Sequence, residues 1–437
     1  MNSAATDRIQ HHSAIIVGGG PGGLGVAAVL EGWHPRFSGD FQFPVPEVQR
    51  IAEEFRDSPL ELDQHRVLNA GLRPIEFYRM RHHPTQEALP LDEWTLKFEK
   101  RQRVDWKMLS LDKPGGLWNN VPREQLTLGP AHWMELAPYP VTQFYADTGR
   151  ERDPNQLIHK DDIVPYYHAF AEKLGLNEHI QTGTEVRSIS PLPKEAGARF
   201  LVEANTDTGE QQYTCDYLVF AVGPKSAERR LTATGADQPY ITYGYHHADD
   251  LPGDRVMVIG GGRSADWAAT ECHDSGKTVV YVMRQSPEPH LKLINDSQYL
   301  PYYQRLAQIL DGDQERMGLL YGSEVKEFRQ GGEVVVGTPE GEITVQVDHV
   351  AVEIGGEPDY GLLKGFPGLT LVPKRDNFRF QVMQMQTDQA TFESVDVEGL
   401  YPAGYLSKGT GLSVIGFHCG AYLIAGNILR SSGYFNT

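Results

Sequence analysis

An α/β fold made of two Rossmann-like units, the second inserted into the first, is what this sequence predicts. Three observations predict it: a glycine-rich strand-to-helix turn near the start, a second such turn past the middle, and apolar strands around both with no polar face. A chain of 437 residues is too long for one ordinary domain, and 40% hydrophobic residues can fill more than one core.

The first turn spans residues 14–31. Ala14-Ile-Ile-Val17 reads as a buried strand, a glycine turn follows, and a helix opens near Pro21. Gly18, Gly20 and Gly23 fit G-x-G-x-x-G. The first glycine makes the tight turn, the second lets a pyrophosphate approach the backbone, and the third lets helix and strand pack closely. The helix N-terminus offers free N–H groups and a positive dipole end to phosphates. A tight turn without a ligand is the alternative. The next strand should bring an acidic residue about 20 residues on, but it does not arrive. Residues 32–104 read instead as an insertion of helical and loop character, with helical spacing at 47–55 and 75–80. Residues 105–111 then read as the delayed second strand, ended by Asp112. Asp112 is the candidate ribose ligand; a surface turn aspartate is the alternative.

Residues 161–174 carry apolar side chains at helical spacing, with Lys160-Asp161-Asp162 placed to cap them. Residues 183–189 are strand-like, and 199–203 with 212–223 frame a hairpin turning at 207–210. The second glycine turn follows: strand 255–259, then Gly260-Gly-Gly-Arg-Ser-Ala265 as G-x-G-x-x-A, then a helix from Asp266. The next strand, 278–283, ends in Arg284. An acid there would favour NAD, whereas an arginine suits a 2′-phosphate through bidentate hydrogen bonds, so this unit favours NADPH. A surface salt-bridge arginine is the alternative. Strands at 333–336 and 343–347 precede Val350-Ala-Val-Glu-Ile354, a strand and turn returning to the first unit. Residues 399–404 are strand then turn, and 413–429 hold an apolar helix interrupted by His418 and Gly420. The first unit is thus expected at 1–238 and 350–437, with the second at 239–349.

Composition excludes several classes. Forty Lys and Arg against 58 Asp and Glu leave a net charge of −18, which opposes nucleic acid and anionic membranes as partners. No apolar run suits a membrane span, and the first residues lack the layout of a secretion signal, so a cytoplasmic protein is expected. Cys215, Cys272 and Cys419 lie far apart without C-x-x-C, so a disulfide framework, a zinc site and a redox dithiol are unsupported. The adjacent histidine pairs 11–12, 82–83 and 246–247 do not suggest a shared metal. Gly-Leu-Ser413-Val-Ile is no hydrolase elbow. Trp133 and Met134 either line a cofactor or pack a core.

The two-turn layout resembles the two-dinucleotide-binding-domain flavoproteins, and among them the class B flavin monooxygenases, from about residue 14 to 430. Gly115-Gly-Leu-Trp118 is similar to the G-G-x-W segment that holds FAD near its flavin end, which implies roles for Gly116 and Trp118. Gly260, Gly262 and Ser264, with Asp266, look like the NADPH fingerprint. Residues 220–223 and 353–356 stand where the two strand-to-linker motifs fall. Val186 stands where a backbone contact to the FAD adenine is usual, and Gly404 where a glycine lies near the ribityl chain. A closer match is the oxidative stress-induced growth inhibitor family, through residues 60–66, 82–84, 113–118, 133–136 and 162–167.

The resemblance implies an FAD-binding domain (1–238 and 350–437), an NADPH-binding domain (239–349), O2 and a small organic substrate. The implied reaction is hydride transfer from NADPH to flavin N5, O2 addition at C4a, and transfer of one oxygen atom from the resulting (hydro)peroxide. Baeyer–Villiger members carry F-x-G-x-x-x-H-x-x-x-(Y, F or W) before the second fingerprint. Here Ile241-Thr-Tyr-Gly-Tyr-His-His247 lacks the phenylalanine and glycine in register, and Leu251 replaces the closing aromatic. That favours N- or S-oxygenation over attack on a ketone and gives His247 no catalytic role. An NADPH oxidase or quinone reductase, and a regulatory FAD protein with little turnover, are the other readings.

Overall fold

Alternate residues of a strand face opposite sides of its sheet. In the first strand Ala14 and Ile16 enter one core while Ile15 and Val17 enter another. Such a strand has to be covered on both faces, as parallel strands are. The computed structural model describes residues 9–37, 42–54, 56, 64–82, 87–89, 93–94, 96–312, 314–375, 381–410 and 414–436. Among the expected segments, residues 55, 60–63, 83, 84 and 413 lie outside the described ones.

Numbered along the chain, the strands of the two main sheets are β1 (Gln10–Val17), β2 (Trp106–Leu109), β3 (Ile180–Gln181), β4 (Glu185–Pro191), β5 (Phe200–Thr206), β6 (Gly209–Phe220), β7 (Ile241–Tyr243), β8 (Arg255–Gly260), β9 (Thr278–Val282), β10 (Met317–Leu320), β11 (His349–Glu353) and β12 (Leu400–Pro402). The helices that bear on the site are α1 (Pro21–Leu30), α2 (Pro74–His82), α3 (Lys160–Lys173), α4 (Arg263–Asp274), α5 (Pro287–Asp296), α6 (Pro301–Gly312) and α7 (Val414–Ser431).

The first sheet has seven strands in the order β3-β2-β1-β6-β5-β4, with β12 added beside β6. β6 belongs to two patterns. Its first half pairs antiparallel with β5, and its apolar second half runs parallel to β1 and β12. The second sheet has five parallel strands, β7-β11-β8-β9-β10. Here again Val256 and Val258 face one core and Met257 and Ile259 the other. An antiparallel meander (Glu324–Phe328, Glu333–Thr338, Gly341–Gln346) lies beside that sheet. The two crossings between units pair with each other: Ala227–Glu228 runs antiparallel to Gly356–Glu357. Among the described residues no helix is long and apolar enough to cross a membrane.

Three expectations are corrected. Residue 350 does not begin the return to the first unit. β11 is the strand between β7 and β8, and its apolar Val350-Ala-Val is buried on both faces of the second sheet. Nor is the insertion only helix and loop. It opens and closes with an antiparallel ribbon, Trp33–Phe37 against Leu96–Lys100. Lys100 Nζ fastens the ribbon by donating to the Glu31 carbonyl (2.7 Å), and Trp106 Nε1 donates to the Glu31 carboxylate (3.1 Å). Finally, α3 is not capped by residues 160–162. His159 holds the N-cap position without a side-chain bond, and Asp162 pairs with Arg150 (2.9 Å) and Arg152 (3.2 Å).

α2 brings the insertion onto α7, where Tyr78 meets Tyr422 (5.0 Å between rings) and His82 meets His418 (5.5 Å). The polar interruptions of α7 have partners. His418 Nε2 accepts from the Ala137 N–H (3.1 Å), and a methyl group at Gly420 would stand 3.2 Å from Thr410.

Candidate functional site

The three glycines of the first turn do three different things. A methyl at Gly18, whose φ is +111°, would sit 2.3 Å from the Ala221 carbonyl, so the turn passes too close to the end of β6 for any side chain. One at Gly23 would sit 2.2 Å from the Gly18 carbonyl, so helix and turn touch there. A methyl at Gly20 meets nothing within 4 Å. Gly20 is also the N-cap of α1 and makes no side-chain cap bond. The first helical bond, Leu24 N–H to the Gly20 carbonyl (2.9 Å), leaves the N–H groups of Gly22 and Gly23 ahead of the ladder. An uncapped N-terminus facing open space fits a pyrophosphate.

Two distant segments converge on this turn. The Gly115 N–H donates to the Gly19 carbonyl (2.8 Å), and a methyl at Gly116 would lie 2.8 Å from the Gly20 Cα. Gly116 opens a short 3₁₀ turn that carries Trp118 against the first core. From the other side, a methyl at Gly22 would lie 3.0 Å from Gly404, so the turn after β12 packs on the first turn of α1. Val186 sits on β4, buried in the core on the far face of the sheet with Ile15 and Val17.

Asp112 does not end the second strand. β2 stops at Leu109, and the Asp112 carboxylate accepts from Asn120 Nδ2 (2.9 Å) in the turn beyond. Ser110, absent from the expected set, stands nearer: its Oγ accepts from the Gly19 N–H (3.2 Å) and donates to the Asp112 carbonyl (2.8 Å). Of the pair left open, Met134 packs on the first core, while Trp133 is exposed and lies over Gly129.

The second turn repeats the geometry. A methyl at Gly260 would clash with the Glu353 carbonyl (2.4 Å) and with Ala265, whereas one at Gly262 meets nothing within 4 Å. Gly262 is the uncapped N-cap of α4, and the first helical bond is Asp266 N–H to its carbonyl (2.9 Å), so Arg263, Ser264 and Ala265 present free N–H groups. Arg284, just past β9, is exposed and makes no ion pair among the described residues. Its neighbour Gln285, also unforeseen, donates from Nε2 to the Gly261 carbonyl (2.9 Å) and ties the end of β9 to the glycine turn. Arg263 turns inward, its guanidinium over the Tyr303 ring (5.4 Å). His247 Nδ1 accepts from the Asp249 N–H (3.1 Å), and its Nε2 lies 3.2 Å from Glu271, a structural placement. All three cysteines are buried, on β6, α4 and α7, and burial pushes each thiol well above its ordinary range.

A mixed seven-stranded sheet and a parallel five-stranded one, each with a strand, glycine turn and uncapped helix, one nested in the other, define a two-Rossmann-domain, class B flavoprotein-like fold. The profile of the family described as "Pyridine nucleotide-disulphide oxidoreductase" matches residues 139–404, and the chain belongs to that family. It is also similar to oxidative stress-induced growth inhibitor 1 of Homo sapiens, 23% identical over 98% of each chain. Among solved structures it is similar to the bacillithiol disulfide reductase of Staphylococcus aureus (TM-score 0.64, 17% identity, 97% of this chain and 99% of that one). The ornithine N-hydroxylase of Kutzneria sp. 744 is also similar (TM-score 0.61, 14% identity, 98% and 100%).

Proposed function

We propose that this protein is an FAD- and NADPH-dependent monooxygenase of a small organic substrate, with N- or S-oxygenation favoured. The observation that carries the reading is the pair of open glycine cradles in a fold whose three thiols are buried and far apart. Two cradles suit two dinucleotides, and without a dithiol the electrons have no internal disulfide to pass through. FAD, when bound, supplies the redox chemistry by accepting hydride from NADPH and activating oxygen.

The chain's own residues bind and orient. In the first unit Gly20 leaves room for the FAD pyrophosphate, the Gly22 and Gly23 N–H groups hold it, and Gly18 and Gly23 keep the helix close. Gly116 and Trp118 hold FAD near its flavin end, Gly404 lies near its ribityl chain, and the Val186 backbone meets its adenine. Asp112 is retained as a ribose ligand only if it releases Asn120. In the second unit Gly260 and Gly262 shape the turn, the Ser264 N–H meets phosphate, and Arg284 pairs with the 2′-phosphate. The likeness to an ornithine N-hydroxylase supports N-oxygenation, and the engagement of His247 with Glu271 weighs against the ketone route. Three unpaired thiols suit the cytoplasm.

The test is a panel of amines, sulfides and ketones under 18O2, with peroxide measured beside NADPH loss. One labelled oxygen in the product supports the monooxygenase. Turnover to an unlabelled product replaces it with an NADPH oxidase or reductase. Negligible flavin reduction by NADPH points to a regulatory protein.

A further inference from the structure

A hollow of about 140 Å³ opens where the insertion meets the turn between β12 and α7. A water molecule's share of liquid is about 30 Å³, so the space suits a small ligand. Its rim carries two cations from segments far apart in sequence, Arg73 just before α2 and Lys408 after β12. None of its lining residues is acidic. In a chain of net charge −18 this spot is local and owes nothing to a general field. Arg73 leans on Glu76, but the same carboxylate is shared with Arg79, so the three side chains keep one positive charge. Lys408 Nζ donates to the Gln386 side-chain carbonyl (2.7 Å), a neutral partner, and makes no ion pair among the described residues.

Between the cations the lining is mixed, the polar Gln386, Thr387 and Gln389 standing with two apolar side chains. Those two are Ile75 and Phe392, 5% and 2% exposed. Phe392 is the one non-glycine among the described residues with positive φ (+58°), a conformation disfavoured for a bulky side chain. A built turn holds it there. The Asp388 carboxylate accepts from the Ala390 and Thr391 N–H groups (2.8 and 2.9 Å), and the Phe392 N–H donates to the Asp388 carbonyl (3.0 Å). Gly409 leaves space above the ring, since a methyl there would stand 3.7 Å from Phe392 Cζ.

We propose that this hollow binds a small organic anion, a carboxylate whose apolar body rests on Phe392 and Ile75 while Arg73 and Lys408 take its charge. A guanidinium and an ammonium lining one hollow match a carboxylate, and the apolar side chains of Ile75 and Phe392 select an organic acid over an inorganic ion. The claim concerns binding and stands apart from the monooxygenase reading. The test is a ligand-detected NMR titration of the full-length flavin-loaded protein with benzoate, benzylamine and inorganic phosphate. Benzoate should bind in preference to both others. Lys408→Glu and Arg73→Glu, both at exposed positions, should each weaken benzoate by about tenfold or more. NADPH-driven flavin reduction should be unchanged in both variants, so this claim and the functional one fail separately. Absent benzoate binding, benzylamine or phosphate binding as well as benzoate, or an affinity indifferent to both reversals would each overturn it.

Discussion

Asp266 and His290 meet at 2.7 Å with neither side chain reaching solvent. The hydroxyls of Tyr281 and Tyr303 donate to the same carboxylate at 2.7 and 2.8 Å, and His290 continues to Tyr321. Asp266 lies in the first turn of α4, so the network anchors the second glycine turn from beneath, through α5 and α6. Removing one partner of such a buried set strands the others. Asp266→Ala should cost about 3–5 kcal/mol, read from the urea midpoint. Asp266→Asn should fall between, because its amide oxygen still accepts from a tyrosine. A loss below about 1 kcal/mol for the alanine variant would show that the network is not an anchor.

The two cradles make separable predictions. Space around Gly20 and Gly262 means that a larger side chain folds but fills the place of a ligand. Gly20→Leu should yield colourless protein, and Gly262→Leu a yellow one that NADPH reduces slowly. Exchanged phenotypes would reverse the assignment of the two units.

Arg284 is exposed just past the end of β9 and makes no ion pair among the described residues, at the place where the 2′-phosphate of NADPH is proposed to lie. A charge-assisted pair is worth about 1.5–3 kcal/mol, so Arg284→Ala should raise the KM for NADPH roughly ten- to a hundred-fold. The KM for NADH should hardly move. Equal losses for both coenzymes would give the arginine a structural role.

Glu135 is 1% exposed, and burial pushes its carboxyl from 4.5 up to about 8, partly offset by the Val141 N–H. Because the folded value lies above the unfolded one, the protonated form is the stabilising form. Its contribution is complete below pH 4.5 and is lost as pH rises through about 8. Stability should therefore fall across that window, by up to about 1.4 kcal/mol per pH unit from this group. Glu135→Gln should flatten the slope, and denaturant midpoints at several pH values would reveal it. An unchanged slope in the variant would clear Glu135 of the effect.

What the sequence made legible was local. Gly23 is demanded by a contact within one strand-turn-helix unit, the motif spacing marks Gly18 and Gly260 although each stands against a remote strand end (Ala221 and Glu353), and the apolar runs of β1, β6 and β8 are demanded by coverage on both faces. What it hid was pairing across distance. Trp33–Phe37 finds its partner only at Leu96–Lys100; both segments alternate apolar and polar residues, a strand signal, but they are short and lie at opposite ends of the insertion, so nothing local pairs them. β11 looked like an exit because the glycines after it signal a turn, yet its sheet is decided by β7 and β8. Ser110 and Gln285 escaped notice because they bind backbone groups of remote glycine turns. A polar residue at the end of a strand that should neighbour a glycine turn was the available signal.

β6 has one further consequence, set in time. It pairs with β1, made early, and with β12 at Leu400–Pro402, made late. Every strand of the second sheet lies between Ile241 and Glu353, so that sheet can close while the chain is still being synthesised. The apolar end of β6 meanwhile has no neighbour on its β12 side. At about 5–20 residues per second, that edge waits on the order of ten seconds or more. An open edge of this kind templates association with other chains. Slow translation through residues 354–400, or synthesis without chaperones, should therefore cost yield by aggregation of nascent chains, even for a sequence whose finished fold is sound.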